Sequence, residues 1–131
     1  MRPNAIALFI LLFFNTAFSG LMMNRAVADW HTRFGNNALA ARIEPWEWRH
    51  HFRVAIDYMA QARPLDAVAS LKRAYPMAPY YWPLINNMAL AYAIAGDVDK
   101  AEAMWKEVID MFPQNQIARR NLEVLKAQRG K

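Results

Sequence analysis

The sequence predicts an all-α protein: an N-terminal transmembrane helix, then a two-repeat α-solenoid closed by a capping helix. Three observations carry this reading. The stretch Ala5–Met23 holds no charged residue and is dominated by Ile, Leu and Phe. Pro45, Pro79 and Pro113 stand 34 residues apart at each step. The last helix-forming segment, finally, carries charges where the preceding ones carry apolar residues.

The nineteen residues of the apolar stretch would make a helix of roughly 28 Å, close to the hydrocarbon thickness of a bilayer. Two readings of it stand side by side. Met1–Asn4 with Arg2, the apolar core Ala5–Phe14 and Ala17-Phe18-Ser19 before Gly20 resemble a signal peptide with its cleavage site. Against cleavage, apolar character continues through Leu21-Met22-Met23. An uncleaved anchor is the preferred reading, which makes the chain a single-pass membrane protein. Asn15, Thr16, Ser19 and Gly20 then form a small, hydrogen-bonding patch on one side of the helix, suited to contact with another membrane helix. Arg2 and the α-amine on one side and Arg25 and Arg33, partly offset by Asp29, on the other leave the flanking charge undecided; the short N-terminal tail suits the cytoplasm, which puts the repeats on the outer side of the membrane, for a bacterial inner membrane the periplasm. No helix breaker follows until Gly35, so residues 1–34 read as a membrane helix with an extension, and 35–47 as a short helix or linker.

The remainder is water-compatible. Over the whole chain, 16 Lys and Arg against 11 Asp and Glu give a net charge of +5. That excess is spread along the chain without a run of like charge, which argues against nucleic acid as a partner and fits an anionic membrane surface or an acidic protein. Cysteine is absent. Disulfides, thiol nucleophiles and cysteine metal sites are therefore excluded.

Aligning 48–81 with 82–115 brings Val54 over Met88, Ala55 over Ala89, Tyr58 over Tyr92, Ala67 over Ala101, Leu71 over Trp105 and Ala74 over Val108. A helical hairpin has close-contact points where only a small side chain lets the backbones approach, and Ala55/Ala89 and Ala67/Ala101 suit them. Larger residues between them fill the interior, and the proline ends the second helix and turns the chain. Gly96-Asp97 supplies a helix stop and a helix cap; Arg63-Pro64-Leu65-Asp66 serves the same place in the first window.

The period, with Leu90-Ala91-Tyr92, Gly96-Asp97, Lys100-Ala101, Trp105 and Pro113, resembles the tetratricopeptide repeat (TPR). The second window matches well. The first has Ala62 where glycine is usual and His51 where a large apolar residue is usual. The resemblance implies TPR hairpins at 48–81 and 82–115, and protein or peptide binding. Ala40 and Pro45 echo the end of a repeat, so 37–44 is a candidate residual half-repeat. Residues 116–131 read as a capping helix: Arg119, Glu123 and Lys126 replace His51/Ile85, Ala55/Ala89 and Tyr58/Tyr92, and charges there stop further stacking.

First helices of such repeats line the concave face. By register that face carries Arg49, Phe52, Ile56 and Met59, then Asn86, Leu90 and Ala93, with Asn86-Asn87 as hydrogen-bonding handles. It suits a partner helix or extended segment, or the chain's own flanking segments. Some TPR domains grip a C-terminal carboxylate with Lys and Asn in this groove. Only Asn87 falls on such a position, with Phe52 and Ile56 in place of the polar partners. Tyr80-Tyr81-Trp82-Pro83 lies at the repeat junction, where packing is the simpler role.

His31, His50 and His51 are the only histidines. Neighbouring histidines on a helix diverge by about 100°, so they cannot share a metal unaided. Glu44 and Glu47 lack any nucleophile beside them and read as charge around a helix start. No catalytic residues, metal or cofactor are expected. The expected function is a membrane-anchored interaction module, an accessory or assembly subunit of a membrane protein complex, with no small-molecule substrate. Two alternatives remain: a soluble secreted TPR protein if the leader is cleaved, and a part of a cell-envelope polysaccharide system. For the latter, Glu44–His51 followed by repeats is loosely similar to the tails of bacterial O-antigen polymerases and ligases, which have many spans rather than one.

Overall fold

A computed structural model describes the backbone of residues 5–130, with side chains from residue 17. Among these residues there are seven α-helices, one 3-10 turn and no strand. The chain divides after Pro45 into two compact units.

The first unit is a long helix, α1 (Ala5–Arg33), and a short one, α2 (Asn37–Ile43). Gly35 makes the turn with φ +78°, and Asn36 caps α2 by accepting from the Leu39 N–H at 3.2 Å. An Asn cap is worth about 1 kcal/mol. Ala28 on α1 and Ala40 on α2 are fully buried. Of the expected membrane span, Ser19 and Gly20 are exposed, whereas the side chains of residues 5–16, Asn15 and Thr16 included, lie outside the described residues. Among the described residues no helix is long and apolar enough to cross a membrane.

The second unit is a succession of hairpins: α3 (Trp48–Ala60) with α4 (Pro64–Ala74), then α5 (Trp82–Ile94) with α6 (Val98–Met111), then α7 (Gln116–Arg129) alone. Each helix packs mainly on its sequence neighbour. The four small contact residues Ala55, Ala67, Ala89 and Ala101 are all fully buried. Leu71, Leu84, Ile85, Met88, Trp105 and Val108 fill the space around them in one continuous core. Burying a Leu or Ile side chain contributes about 1.5–3 kcal/mol each, so this core is what holds three otherwise marginal helical pieces together.

Helix starts follow local chemistry. Glu47, Asp97 and Asn115 accept from the N–H groups of Arg49, Lys100 and Ala118. Proline occupies the first turn of α4 and α5, where its missing N–H costs nothing. The second helices differ at their ends. α6 runs to Met111, whereas α4 stops at Ala74 and continues as a 3-10 turn, Tyr75–Met77. Pro76 is the cause: it has no N–H to donate back along the helix. The helix therefore ends before Pro79 is reached, not at it.

On α7, Ala118, Leu122 and Leu125 are buried and Arg119, Glu123 and Lys126 are exposed. The outward face of the last helix is thus wet.

Candidate functional site

The concave face of the second unit is built from α3, α5 and α7. Their register places Ile56, Leu90 and Val124 at equivalent points, 34 residues apart. All three stay exposed, at 40%, 37% and 51%. Branched apolar side chains held in solvent at the same position of three successive helices are the most distinctive feature of this surface.

Towards the N-terminal ends of these helices the face is aromatic. Trp48 and Phe52 on α3 meet Tyr81, the residue before α5, with ring centroids at 4.7 and 5.9 Å. Arg49 is exposed beside them, paired with Glu47 at 3.0 Å and with its guanidinium 5.0 Å from the Trp48 ring. Phe52 and Met59 are half-buried against the core. Tyr81 thus joins two repeats, while Tyr80 is 78% exposed.

The two asparagines act differently from simple handles. Asn86 Oδ1 accepts from Trp105 Nε1 at 3.0 Å and from Asn121 Nδ2 at 3.1 Å, so it fastens α6 and α7 to α5. Asn87 Nδ2 donates to the Pro83 carbonyl at 2.7 Å, one turn back. What Asn86 still offers is its N–H pair, and what Asn87 still offers is its oxygen. A cleft of about 310 Å³ opens alongside, lined by Leu90, Ile94, Trp105, Asn121, Val124 and Gln128.

Of the sequence-predicted groove residues, Asn86 and Leu90 belong to this α5–α7 cleft side, and Arg49 and Phe52 to the aromatic end. Ile94, Asn121 and Val124 complete the surface but were not singled out by sequence. The signal for Val124 was present in the 34-residue spacing from Ile56 and Leu90. Arg53 and Arg120, which also fall on concave positions, are exposed. The repeats' concave positions carry no carboxylate, so the face combines an apolar stripe with exposed positive charge.

His50 and His51 are both buried. Among the described residues no group of three His, Asp or Glu side chains is placed to hold a metal. Among the described residues the one strongly perturbed group is Tyr75, whose hydrogen bond to Glu107, with burial and the carboxylate's charge adding to it, pushes the phenol up to about 12.

No protein-family model matches the chain, and no curated protein matches it. Solved structures do resemble it. The first TPR of Spaghetti (RPAP3), bound to the HSP90 peptide SRMEEVD, superposes with a TM-score of 0.71 at 12% identity, covering 84% of this chain and 93% of that one. The second TPR domain of human RPAP3, in complex with the HSP70 peptide SGPTIEEVD, gives 0.66 at 14%, covering 83% and 97%. The fold is that of a TPR solenoid.

Proposed function

We propose that this protein is a membrane-anchored protein-interaction module, an accessory or assembly subunit whose concave TPR face holds an apolar helix or strand of a membrane complex. The observation that carries the reading is the exposed stripe of Ile56, Leu90 and Val124. A soluble domain gains nothing by keeping three such residues wet, whereas a partner segment with apolar residues at matching spacing gains their burial. The similar structures are bound to chaperone peptides ending in acidic residues and a carboxylate. Here Phe52 and Ile56 stand where such a ligand needs polar partners, so the groove favours an internal apolar segment. Acidic flanks on that segment would meet Arg53 and Arg120.

The anchor rests on the uncharged stretch Ala5–Met23, and the short tail before it, suited to the cytoplasmic side, puts the repeats on the outer side of a bacterial inner membrane. Tethering raises the effective concentration of a short array with modest intrinsic affinity. This reading gives the chain no catalytic role.

The test is purification from native membranes in mild detergent, comparing the parent with an Ile56→Glu/Leu90→Glu/Val124→Glu variant. The expected result is an intact 15.2 kDa chain carrying stoichiometric membrane partners, which the triple variant loses while staying helical and membrane-bound. A chain beginning near Gly20 in the soluble fraction would sink the anchor. Partners retained in full by the triple variant would sink the groove.

A further inference from the structure

The two edges of the second unit differ in chemistry. At one edge lie the turns inside the hairpins, residues 61–63 and 95–97, together with the end of α7. Charge is dense there: Arg63 pairs with Asp66 at 2.7 Å, and Arg129 pairs with Asp99 at 3.0 Å. At the other edge, where α3, α5 and α7 begin, charge is scarce. Residues 74–84 and 111–118 hold no Asp, Glu, Lys or Arg, and residues 46–48 hold only Glu47, which is paired with Arg49. Yet Trp46, Met77, Tyr80, Tyr81 and Ile117 are all exposed on that edge, from 38% to 78%. The Trp48 and Tyr81 rings, 4.7 Å apart, join the start of α3 to that of α5. A hollow of about 540 Å³, with Trp82, Phe112 and Ile117 in its lining, joins α5 to α7.

Trp and Tyr carry an apolar ring with a polar tip, which suits the headgroup level of a bilayer. Gln114 and Gln116, exposed on the same edge, set the depth: their amides belong among headgroups and not in hydrocarbon. The path of the chain brings that surface within reach. After the tight turn at Gly35, α2 packs back along α1. Ala28 and Ala40, both fully buried, stand equally far from Phe34 in sequence. With equal rise along both helices, that register returns the chain at Pro45 to the level of Met23, the last residue of the uncharged stretch. The second unit starts at the next residue, Trp46.

We infer that this edge, from Trp46 through Tyr80 and Tyr81 to Ile117, rests on the lipid headgroups of the bilayer that holds the anchor. The level of that bilayer rests on the anchored reading proposed above; the contrast between the two edges does not. The arrangement also limits what the groove can meet. Ile56, Leu90 and Val124 each stand eight residues into their helices, roughly 12 Å from this edge. A stripe that crosses three helices at one height runs along the membrane surface. The segment it fits is therefore the juxtamembrane part of a partner.

The chain has no cysteine, so a nitroxide label can be placed at one site at a time. Full-length protein in vesicles of phosphatidylethanolamine and phosphatidylglycerol would carry Tyr80→Cys or Ile117→Cys on the edge, and Leu65→Cys or Asp99→Cys opposite, all at exposed positions. Collisions with oxygen, which enters the bilayer, are compared with those of a hydrated nickel chelate, which does not. The oxygen-to-chelate ratio is expected to be on the order of threefold higher on the edge than opposite, because the interface excludes the hydrated ion. Equal ratios at all four positions would overturn the inference. Edge labels open to the chelate in vesicles but immobilised in native membranes would also overturn it, assigning the edge to a protein. An alkaline carbonate wash tells the two readings apart. A chain that stays with the vesicles while its edge labels are open keeps the anchor and loses the edge. A chain stripped by the wash, with edge labels shielded beforehand, loses the anchor and keeps the edge.

Discussion

Tyr75 Oη donates a 2.6 Å hydrogen bond to Glu107 Oε1, across 32 residues of sequence. The bond ties the 3-10 turn that closes the first hairpin to the second helix of the next, so it reports directly on repeat–repeat docking. It also holds the phenol's proton in place, with the pKa pushed up to about 12 from an ordinary value of 10.0.

The stability consequence has a definite sign. Below pH 10 the phenol is protonated whether the chain is folded or not, and the bond contributes in full. Between about 10 and 12 the unfolded chain loses its proton while the folded one keeps it, so the contribution drains away as pH rises. Denaturant titrations of the parent and Tyr75→Phe should therefore show a parent advantage at pH 8 that shrinks by pH 11. An advantage independent of pH would separate the bond from the titration. Glu107→Gln should return the phenol towards its ordinary value, read by phenolate absorbance.

Three hairpin turns share one backbone geometry. Asn36 N–H reaches the His31 carbonyl at 2.7 Å, and Arg63 and Asp97 reach those of Tyr58 and Tyr92 at 2.9 Å. The residue before each donor is left-handed: Gly35 at φ +78°, Ala62 at +56°, Gly96 at +89°. Ala62 is the misfit, since a Cβ in that region costs about 1–2 kcal/mol. Ala62→Gly should raise stability by about 0.5–1 kcal/mol after the entropy of a freer unfolded chain is subtracted. Gly96→Ala should lose about 1 kcal/mol through backbone strain alone, because no atom lies within 4 Å of the new methyl. Thermal melts of both variants check the pair; opposite signs are required.

Much of this fold was legible because period and chemistry agree. Ala55, Ala67, Ala89 and Ala101 could be assigned to close contacts from spacing alone, and all four are fully buried. The asparagines were less legible. Nothing local marks Asn86 as a fastener, since its partners Trp105 and Asn121 lie 19 and 35 residues away. Pro76 breaks the 34-residue period that Pro45, Pro79 and Pro113 keep, so the repeat points to Pro79 while the nearer proline ends α4. The concave stripe is legible at Ile56 and Leu90 and less so at Val124, whose helix carries charges on its docking face.

Asn86 and Trp105 replace an apolar pair of the first repeat, Phe52 and Leu71, at the same register. Removing the acceptor strands the indole N–H, and Trp105 is only 2% exposed. Asn86→Ala should cost about 2–3 kcal/mol, the penalty of a buried unsatisfied donor plus lost packing. Trp105→Leu alone leaves a cavity and costs about 3 kcal/mol or more. The double variant Asn86→Phe/Trp105→Leu imports the first repeat's solution, so its loss should fall clearly below the sum of the two single changes. Additive losses in urea titrations would mean that the two positions are not coupled.

The outward face of α7 gives the last test. Arg119, Glu123 and Lys126 are exposed at the points where α5 has Ile85, Ala89 and Tyr92, all buried. If charge is what stops the stack, restoring the repeat's own residues should reopen it. The variant Arg119→Ile/Glu123→Ala/Lys126→Tyr presents an apolar docking face with no helix to cover it. Light scattering should find it in assemblies larger than the parent's, growing with concentration, while its helical content is unchanged. A variant that keeps the parent's mass would show that the shape of α7, and not its charge, ends the array.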